Sequence, residues 1–394
     1  RRKKAMEYSR KVAVSAADEY DTAKIKEILA SHFAALGINI AGMRGKRVVI
    51  KPNLVMKKPP EAAATTHPSV IRALLLLLNE AGIEPTVAES PGGVYSAQRM
   101  DGFYRVCGMY DAAKDLRVCF NTDISAQTLN FPEGKSVKSF NIISPIADAD
   151  VIFDVCKLKT HSLTAMSGAV KNLFGTIPGI EKFEMHAAHP EYDDFESMIC
   201  DLCDMHCRRC DVIAITDAII GMEGDGPTGG NPKKMGCILT SRSPFASDLA
   251  AEKILGFSGV GTVIQSQKRG CIPKSADLLE YPLLRPEDVA IGDIVPATSK
   301  GNSSMSALKL FSGGIFGRIL SPRPEIDTAK CRGCGECKNS CPQHTIFMVQ
   351  AGGKTVAHIE REKCIRCYCC QELCPFTAIR TKRNIILRAV SKFR

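Results

Sequence analysis

CRGCGECKNSCP at residues 331–342 returns 33 residues later as CIRCYCCQELCP at 364–375. Cys331, Cys334, Cys337, Cys341, Pro342 and Ile346 map onto Cys364, Cys367, Cys370, Cys374, Pro375 and Ile379, so one unit is present twice. Each copy reads C-x2-C-x2-C-x3-C-P. Two-residue spacers let a single loop wrap three corners of one compact group, and thiolate sulfur is the soft donor that iron–sulfur cubanes take. In this spacing the fourth cysteine, followed by proline, serves the cluster of the other copy. One [4Fe–4S] cluster is therefore assigned to Cys331, Cys334, Cys337 and Cys374, and a second to Cys364, Cys367, Cys370 and Cys341. Zinc would need only four thiolates per ion and gives no reason for two copies of the triple spacing with its proline. Cys369, a spare cysteine inside the second copy, reads as packing. Between the copies, Thr345–Val349 and Thr355–Ile359 flank Ala351-Gly352-Gly353-Lys354, which predicts a β-hairpin.

The repeat as a whole resembles a bacterial two-cluster ferredoxin, and the resemblance implies a ferredoxin-like α+β module over residues 325–380. Two one-electron centres in one small module make a relay, although ligand identity alone does not set their potentials.

N-terminal to this module, residues 296–324 are rich in Ser, Gly and Pro and read as a linker, with one short helix around Met305–Phe311. Before it, strand-like and helix-like segments alternate. Val12–Ser15, Arg47–Lys51, Pro85–Glu89, Val151–Val155 and Val212–Thr216 are short strand candidates. Asp21–Leu36 carries Ile25, Ile28, Leu29, Phe33 and Leu36 at helical spacing. Pro68–Ala81 has proline near its first turn and Gly82 at its end, and Tyr192–Arg209 is a further helix. The expected fold class is α/β: a layered, mostly parallel sheet over residues 12–295, followed by the α+β module.

The net charge of +10 sits in the tails: residues 1–11 carry +5 and 380–394 carry +6, leaving about −1 between them. That distribution argues against nucleic acid as a partner and favours solvated basic ends at 1–11 and 381–394. The longest apolar run, Ala73–Leu78, is too short to span a bilayer. No apolar stretch follows Arg1–Lys4, as a signal peptide would require, because Glu7, Arg10, Lys11, Asp18 and Glu19 intervene. With nine of the 18 cysteines at metal-ligand spacing, a reducing, cytoplasmic setting is expected.

Several polar segments follow the strand candidates, where open parallel sheets bind ligands. Lys51 and Asn53 follow one. Asp154, Lys157, Lys159 and His161 follow another, and Lys171 and Asn172 come shortly after. Asp217 ends a further strand, with Glu223 and Asp225 in the Gly-rich loop beyond. Lys157, Lys159 and Lys171 with His161 are expected to form a cationic cluster suited to a carboxylate or phosphate. Glu223 and Asp225 suit a divalent cation or acid–base work, and Asp225 equally suits a hydrogen bond within its own turn. The catalytic candidates are His161, Lys159 and Asp225. Lys51, Asn53, Lys157, Lys171, Asn172, Asp217 and Glu223 are the ligand-binding candidates. His186 and His189 with Glu184 and Glu191 fall in an expected loop before Pro190 and show no ligand periodicity. Cys200, Cys203, Cys207 and Cys210 fall on one face of the helix and read as packing, with a third cluster or zinc as the alternative.

KPNLV at 51–55, THPSVIRALLLLLNEAG at 66–82, KLKTHSLTAMSGAVKNLFG at 157–175 and GMEGDGPTGGNPKKMG at 221–236 resemble the domain of unknown function 362 family, as does the SPFASDLAAEKILGF that follows. Members of that family often carry a ferredoxin module, so the resemblance implies an iron–sulfur protein without specifying a reaction. No G-x-G-x-x-G follows a strand and there is no P-loop. Two function classes fit. The first is an iron–sulfur oxidoreductase or electron carrier, in which a redox partner protein feeds the clusters and an anionic small molecule or partner sits at the cationic cleft. The second is a non-catalytic carrier or cofactor-assembly factor whose α/β domain docks a protein.

Overall fold

The computed structural model describes residues 7–299 and 322–382. The expected helix at Met305–Phe311, most of the linker and most of both basic tails lie outside the described residues. In chain order the strands are β1 (Val12–Ala16), β2 (Val48–Pro52), β3 (Thr86–Val87), β4 (Cys119–Phe120), β5 (Ala126–Asn130), β6 (Ser139–Ile143), β7 (Val151–His161), β8 (Ala165–Ser167), β9 (Asp211–Glu223) and β10 (Asn231–Ser241). All but the β5–β6 ribbon join one sheet in the order β1-β10-β9-β7-β2-β3-β4, with β8 added to β7. From β9 to β4 the neighbours are parallel. β10 and β1 close the other edge antiparallel, so the sheet is mixed with a parallel centre.

Alternating side chains of the central strands feed two cores. Phe153, Val155, Ile213 and Ile215 meet Ile25, Leu29, Phe33, Val70 and Leu74 of helices Thr22–Ala35 and Pro68–Glu80. Ile152, Val212 and Leu239 meet Phe195, Ile199, Leu202, Phe245 and Leu249 of helices Tyr192–Arg209 and Pro244–Ile254. Each such side chain contributes about 1.5–3 kcal/mol. The first helix starts where the sequence indicates: Asp21 accepts from Ala23 N at 2.8 Å and Lys24 N at 3.2 Å. The four helix cysteines share the burial of this layer. Cys200 and Cys203 lie in the core, Cys207 and Cys210 are half-buried, and Cys200 donates to Thr262 O at 3.4 Å.

Two strands run further than their apolar cores suggest. β7 continues through His161 and β9 through Glu223, and every residue of β7 is buried. Lys157, Lys159 and His161 are therefore strand residues beneath the surface, not a loop after the strand. The register between β7 and β9 shifts between Lys157 and Lys159, a local irregularity of the kind that re-aims side chains.

The module pairs β11 (Arg323–Ile326) with β14 (Ile379–Lys382), and β12 (Ile346–Ala351) with β13 (Lys354–Ile359). The second hairpin turns at Gly352-Gly353, both at positive φ. Its second cysteine copy rests on the α/β domain. Tyr368 joins the large core, Gln371 Nε2 donates to Asp225 O at 3.4 Å, and Thr228 Oγ1 donates to Glu372 O at 2.8 Å. Among the described residues no helix is long and apolar enough to cross a membrane.

Candidate functional site

The module holds two cysteine-lined cavities. Cys331, Cys334, Cys337 and Cys374 line one, with about 330 Å³ of space including its open mouth. Cys341, Cys364, Cys367 and Cys370 line the other, of about 320 Å³. These are the two sets that the spacing assigns. Backbone amides already point at the sulfurs: Thr345 N donates to Cys341 Sγ at 3.4 Å and Ala378 N to Cys374 Sγ at 3.3 Å. Both bonds span four residues, one in each copy. Ala357 N adds a third, to Cys331 Sγ at 3.5 Å. Donors of this kind hold ligands in place and tune bound clusters, so the residues present fit a [4Fe–4S] group.

A larger pocket, with about 650 Å³ of empty space, lies where the module meets the sheet. The α/β domain supplies Asn53, Glu89, Lys159, Lys171, Lys182 and His186 among its lining, and the module supplies Cys369, Glu372 and Leu373. Lys159 is fully buried at the end of β7 and donates only to neutral oxygens, Asn53 Oδ1 and Ala64 O, each at 2.7 Å. Lys182, also buried, donates to Ser90 O. Lys171 is half-buried and sets its ammonium 5.9 Å from the Phe174 ring centre. Among the described residues none of the three has a carboxylate within ion-pair distance. Burial, with neighbouring lysine charges adding to it (Lys171 at Lys159, Lys51 ahead of Lys171 at Lys182), holds Lys159 and Lys182 at about 7, against the opposing pull of Glu89 at Lys182. Glu372 opposes that shift at both lysines.

The expected four-cation cluster does not form, because two of its members belong elsewhere. Lys157 is paired with Asp217 at 2.6 Å and also donates to Tyr20 Oη at 2.8 Å and Ile220 O at 3.0 Å. Asp217 is fully buried and also accepts from His67 N at 3.0 Å. Neither residue lines the pocket. Burial lowers Lys157, and Asp217 pulls it back up. His161 is buried beyond Lys159, with Nδ1 accepting from Leu163 N at 3.0 Å.

Glu223 and Asp225 sit at the seam rather than in the pocket. Glu223 Oε2 accepts from Val295 N at 3.0 Å, and Asp225 Oδ1 from Thr298 N at 2.7 Å. The two carboxylates thus fasten the chain leaving the α/β domain. Lys51, fully buried, pairs with Glu89 and donates to Asn172 Oδ1 at 3.3 Å. Asn172 Nδ2 in turn donates to Asp154 Oδ1 at 2.7 Å. Asp154 is pushed up to about 8, first by burial, and its Oδ2 has no hydrogen-bond partner among the described residues.

Two pocket residues, Lys182 and Glu89, were not singled out in the sequence, and His186 was weighed there only as a metal ligand and set aside. Lys182 and His186 lie on helix Glu181–Ala188, in the stretch expected to be a loop. Glu89 was visible only as the end of a strand. His186 stacks on Phe195 at 4.3 Å, and burial, followed by the Lys171 charge, holds it at about 3, so it stays neutral. The helical spacing of Lys182, His186 and Met185 was the available signal.

A ferredoxin-type module seated on a parallel-centred α/β sheet defines an iron–sulfur protein of electron-transfer type. Residues 330–378 match the 4Fe-4S dicluster domain. Residues 48–253, just over half of the chain, match the family described as "Domain of unknown function (DUF362)", and the chain belongs to that family. It is 28% identical to the thylakoid-associated protein sll1697 of Synechocystis sp. over 256 residues, covering 63% of this chain and 75% of that protein. A ferredoxin of Methanothermococcus thermolithotrophicus is 39% identical over 59 residues, 14% of this chain and 93% of the ferredoxin. Among solved structures, a Thermotoga maritima protein is similar at 16% identity and a TM-score of 0.37, over 60% of each chain. The lactate racemase apoprotein of Thermoanaerobacterium thermosaccharolyticum is similar at 12% identity and a TM-score of 0.37, over 63% of this chain and 58% of that one.

Proposed function

We propose that this protein carries electrons through two [4Fe–4S] clusters to an anionic ligand, or a partner's anionic group, held in the pocket between the module and the sheet. When bound, each cluster accepts and returns one electron at a time. Cys331, Cys334, Cys337 and Cys374 hold one, and Cys341, Cys364, Cys367 and Cys370 the other. Lys159, Lys171 and Lys182 receive the anion, Asn53 and Asn172 fix the surrounding polar groups, and Lys51 holds Glu89 in place at the rim. Glu223, Asp225, Lys157 and Asp217 are assigned to holding the fold and the seam. A redox partner protein supplies the electrons, in a cytoplasmic setting.

The observation that carries this reading is that three lysines line a pocket walled by the cluster-bearing helix, with no carboxylate paired to them among the described residues. An uncompensated buried ammonium is costly, and an anion bound to the native state offsets that cost. The test is thermal unfolding of anaerobic full-length protein against phosphate, sulfate, acetate and citrate. At least one should raise the melting temperature, less so as salt rises. The Lys159→Ala, Lys171→Ala double variant should lose the effect. If no anion stabilises the native protein, the pocket is a protein-docking surface and the chain is a carrier or cofactor-assembly factor.

A further inference from the structure

Helix Cys369–Glu372 closes the pocket on the module side. It carries Cys370 of one cysteine set, and Cys374 of the other follows two residues after its end. Cys369 belongs to neither set. It is buried and lines the pocket, two residues after Cys367 and directly before Cys370. The helix is fastened from both sides. Gln371 bonds Ser162 Oγ at 3.5 Å and accepts from Thr381 Oγ1 at 3.0 Å. Leu373 packs so close to Gly92 that a Cβ there would lie 3.1 Å from it. Whatever occupies the pocket therefore faces a fixed wall, one thiol away from a cluster ligand.

Building on the electron-transfer reading above, we infer that pocket occupancy and cluster reduction are thermodynamically linked, with Cys369 as the positioning residue that couples the pocket to the set Cys341, Cys364, Cys367 and Cys370. Reduction adds one electron, supplied by a donor protein, and no bond forms or breaks. The added negative charge repels an anion held nearby in a low-dielectric pocket. The anion accordingly prefers the oxidised protein, and by reciprocity its binding makes that cluster harder to reduce. An empty pocket leaves whatever positive charge its lysines carry without a bound anion beside it, which favours the electron. Reduction then weakens the hold on the ligand and releases it. A thiol placed directly before Cys370 and two residues after Cys367 is positioned to donate to a ligand sulfur, which supports the same reduced state.

The test uses reconstituted full-length protein and mediated electrochemical titration followed by EPR, with saturating sulfate against chloride at equal ionic strength. Sulfate should bind the reduced form at least tenfold more weakly. For one electron that is a fall of 59 mV or more in one of the two midpoints, with the other moving less. Cys369→Ala should lower the same midpoint and shrink the sulfate shift, while Cys369→Ser, which keeps a donor, should restore both. Iron content confirms that each variant is loaded. If sulfate binds and neither midpoint moves, the linkage is wrong while the electron-transfer reading stands. If sulfate does not bind, the titration is run with whichever of phosphate, acetate or citrate stabilises the protein, and if none does, the anion pocket and the linkage fall together. A Cys369→Ala protein with wild-type midpoints removes Cys369 from the argument.

Discussion

Proton uptake on anion binding is the sharpest consequence of the pocket's electrostatics. Lys159 and Lys182 are both held at about 7 in the empty site. Each is then about one-tenth neutral at pH 6, half neutral at pH 7 and nine-tenths neutral at pH 8. An anion selects the ammonium form of both. Sulfate keeps its charge across this range, so any proton taken up goes to the protein. Uptake should be about 0.2 proton per site at pH 6, about one at pH 7 and about 1.8 at pH 8. The apparent affinity should fall about a hundredfold between pH 6 and pH 8, because the fraction of sites with both lysines charged falls by that factor. Isothermal titration calorimetry in buffers of different ionisation enthalpy reads the uptake directly. Lys182→Gln, which keeps a donor for Ser90 O, should halve it at pH 8. In the absence of anion the sign reverses for stability. The unfolded chain, with lysines at about 10.4, binds more protons than the native state above pH 7, so these two groups make the native state more stable as pH rises from 7 towards 10. Uptake that is the same at pH 6 and pH 8, or a release of protons, would refute the claim that these two lysines receive the anion.

Cluster content gives a second check: anaerobic protein should hold about eight iron and eight sulfide per chain, and Cys334→Ser should remove about half of each. Two zinc ions with no iron would end the cluster assignment. Gly175→Ala should be unusually damaging, because its Cβ would press on the Glu89 carboxylate and lie 2.6 Å from Lys51 Nζ. Separating that buried pair costs on the order of 3–5 kcal/mol, seen as a large drop in melting temperature. Gly292→Ala, which meets nothing within 4 Å, is the matched control, and equal melting temperatures for the two variants would count against the pair. Replacing Cys200, Cys203, Cys207 and Cys210 together by Ala should leave iron and zinc content unchanged and cost about 1 kcal/mol per buried site. A loss of four irons or one zinc would make them ligands.

How much could be read before the fold was known depends on how far apart in the chain the partners lie. The cysteine sets were legible because three ligands of each set fall within seven residues, and the duplicated spacing pointed to the fourth. Lys159 and Asn53 were legible as residues at strand ends of a parallel sheet, and Lys171 and Asn172 as a polar stretch shortly after. Their compensation was not, since it comes from afar. Lys157 finds Asp217 60 residues on, and Lys51 finds Glu89 38 residues on. Read locally, all of these lysines look equally uncompensated. Helix Glu181–Ala188 was missed because Pro190 and the surrounding polar residues imitate a loop; Lys182 was missed with it, and His186 was set aside as lacking ligand periodicity.

What separates a ligand-binding cation from a structural one here is the pairing that only the fold reveals. Lys51 and Lys159 reach the same end of the sheet from adjacent parallel strands, both without solvent exposure. Lys51 meets the Glu89 carboxylate. Lys159 meets an amide and a carbonyl, which can orient an ammonium but cannot neutralise it. A methionine in its place would fill the same volume without the desolvation cost, so packing alone does not explain the ammonium. Lys182 repeats the pattern on a different element, donating to the Ser90 carbonyl, with Glu89 and Glu372 near enough to oppose the loss of its charge but not paired with it among the described residues. Two independent elements bring incompletely compensated cations to one cavity, against the helix that carries Cys370, and the proposed meeting of an electron and an anion rests on that arrangement.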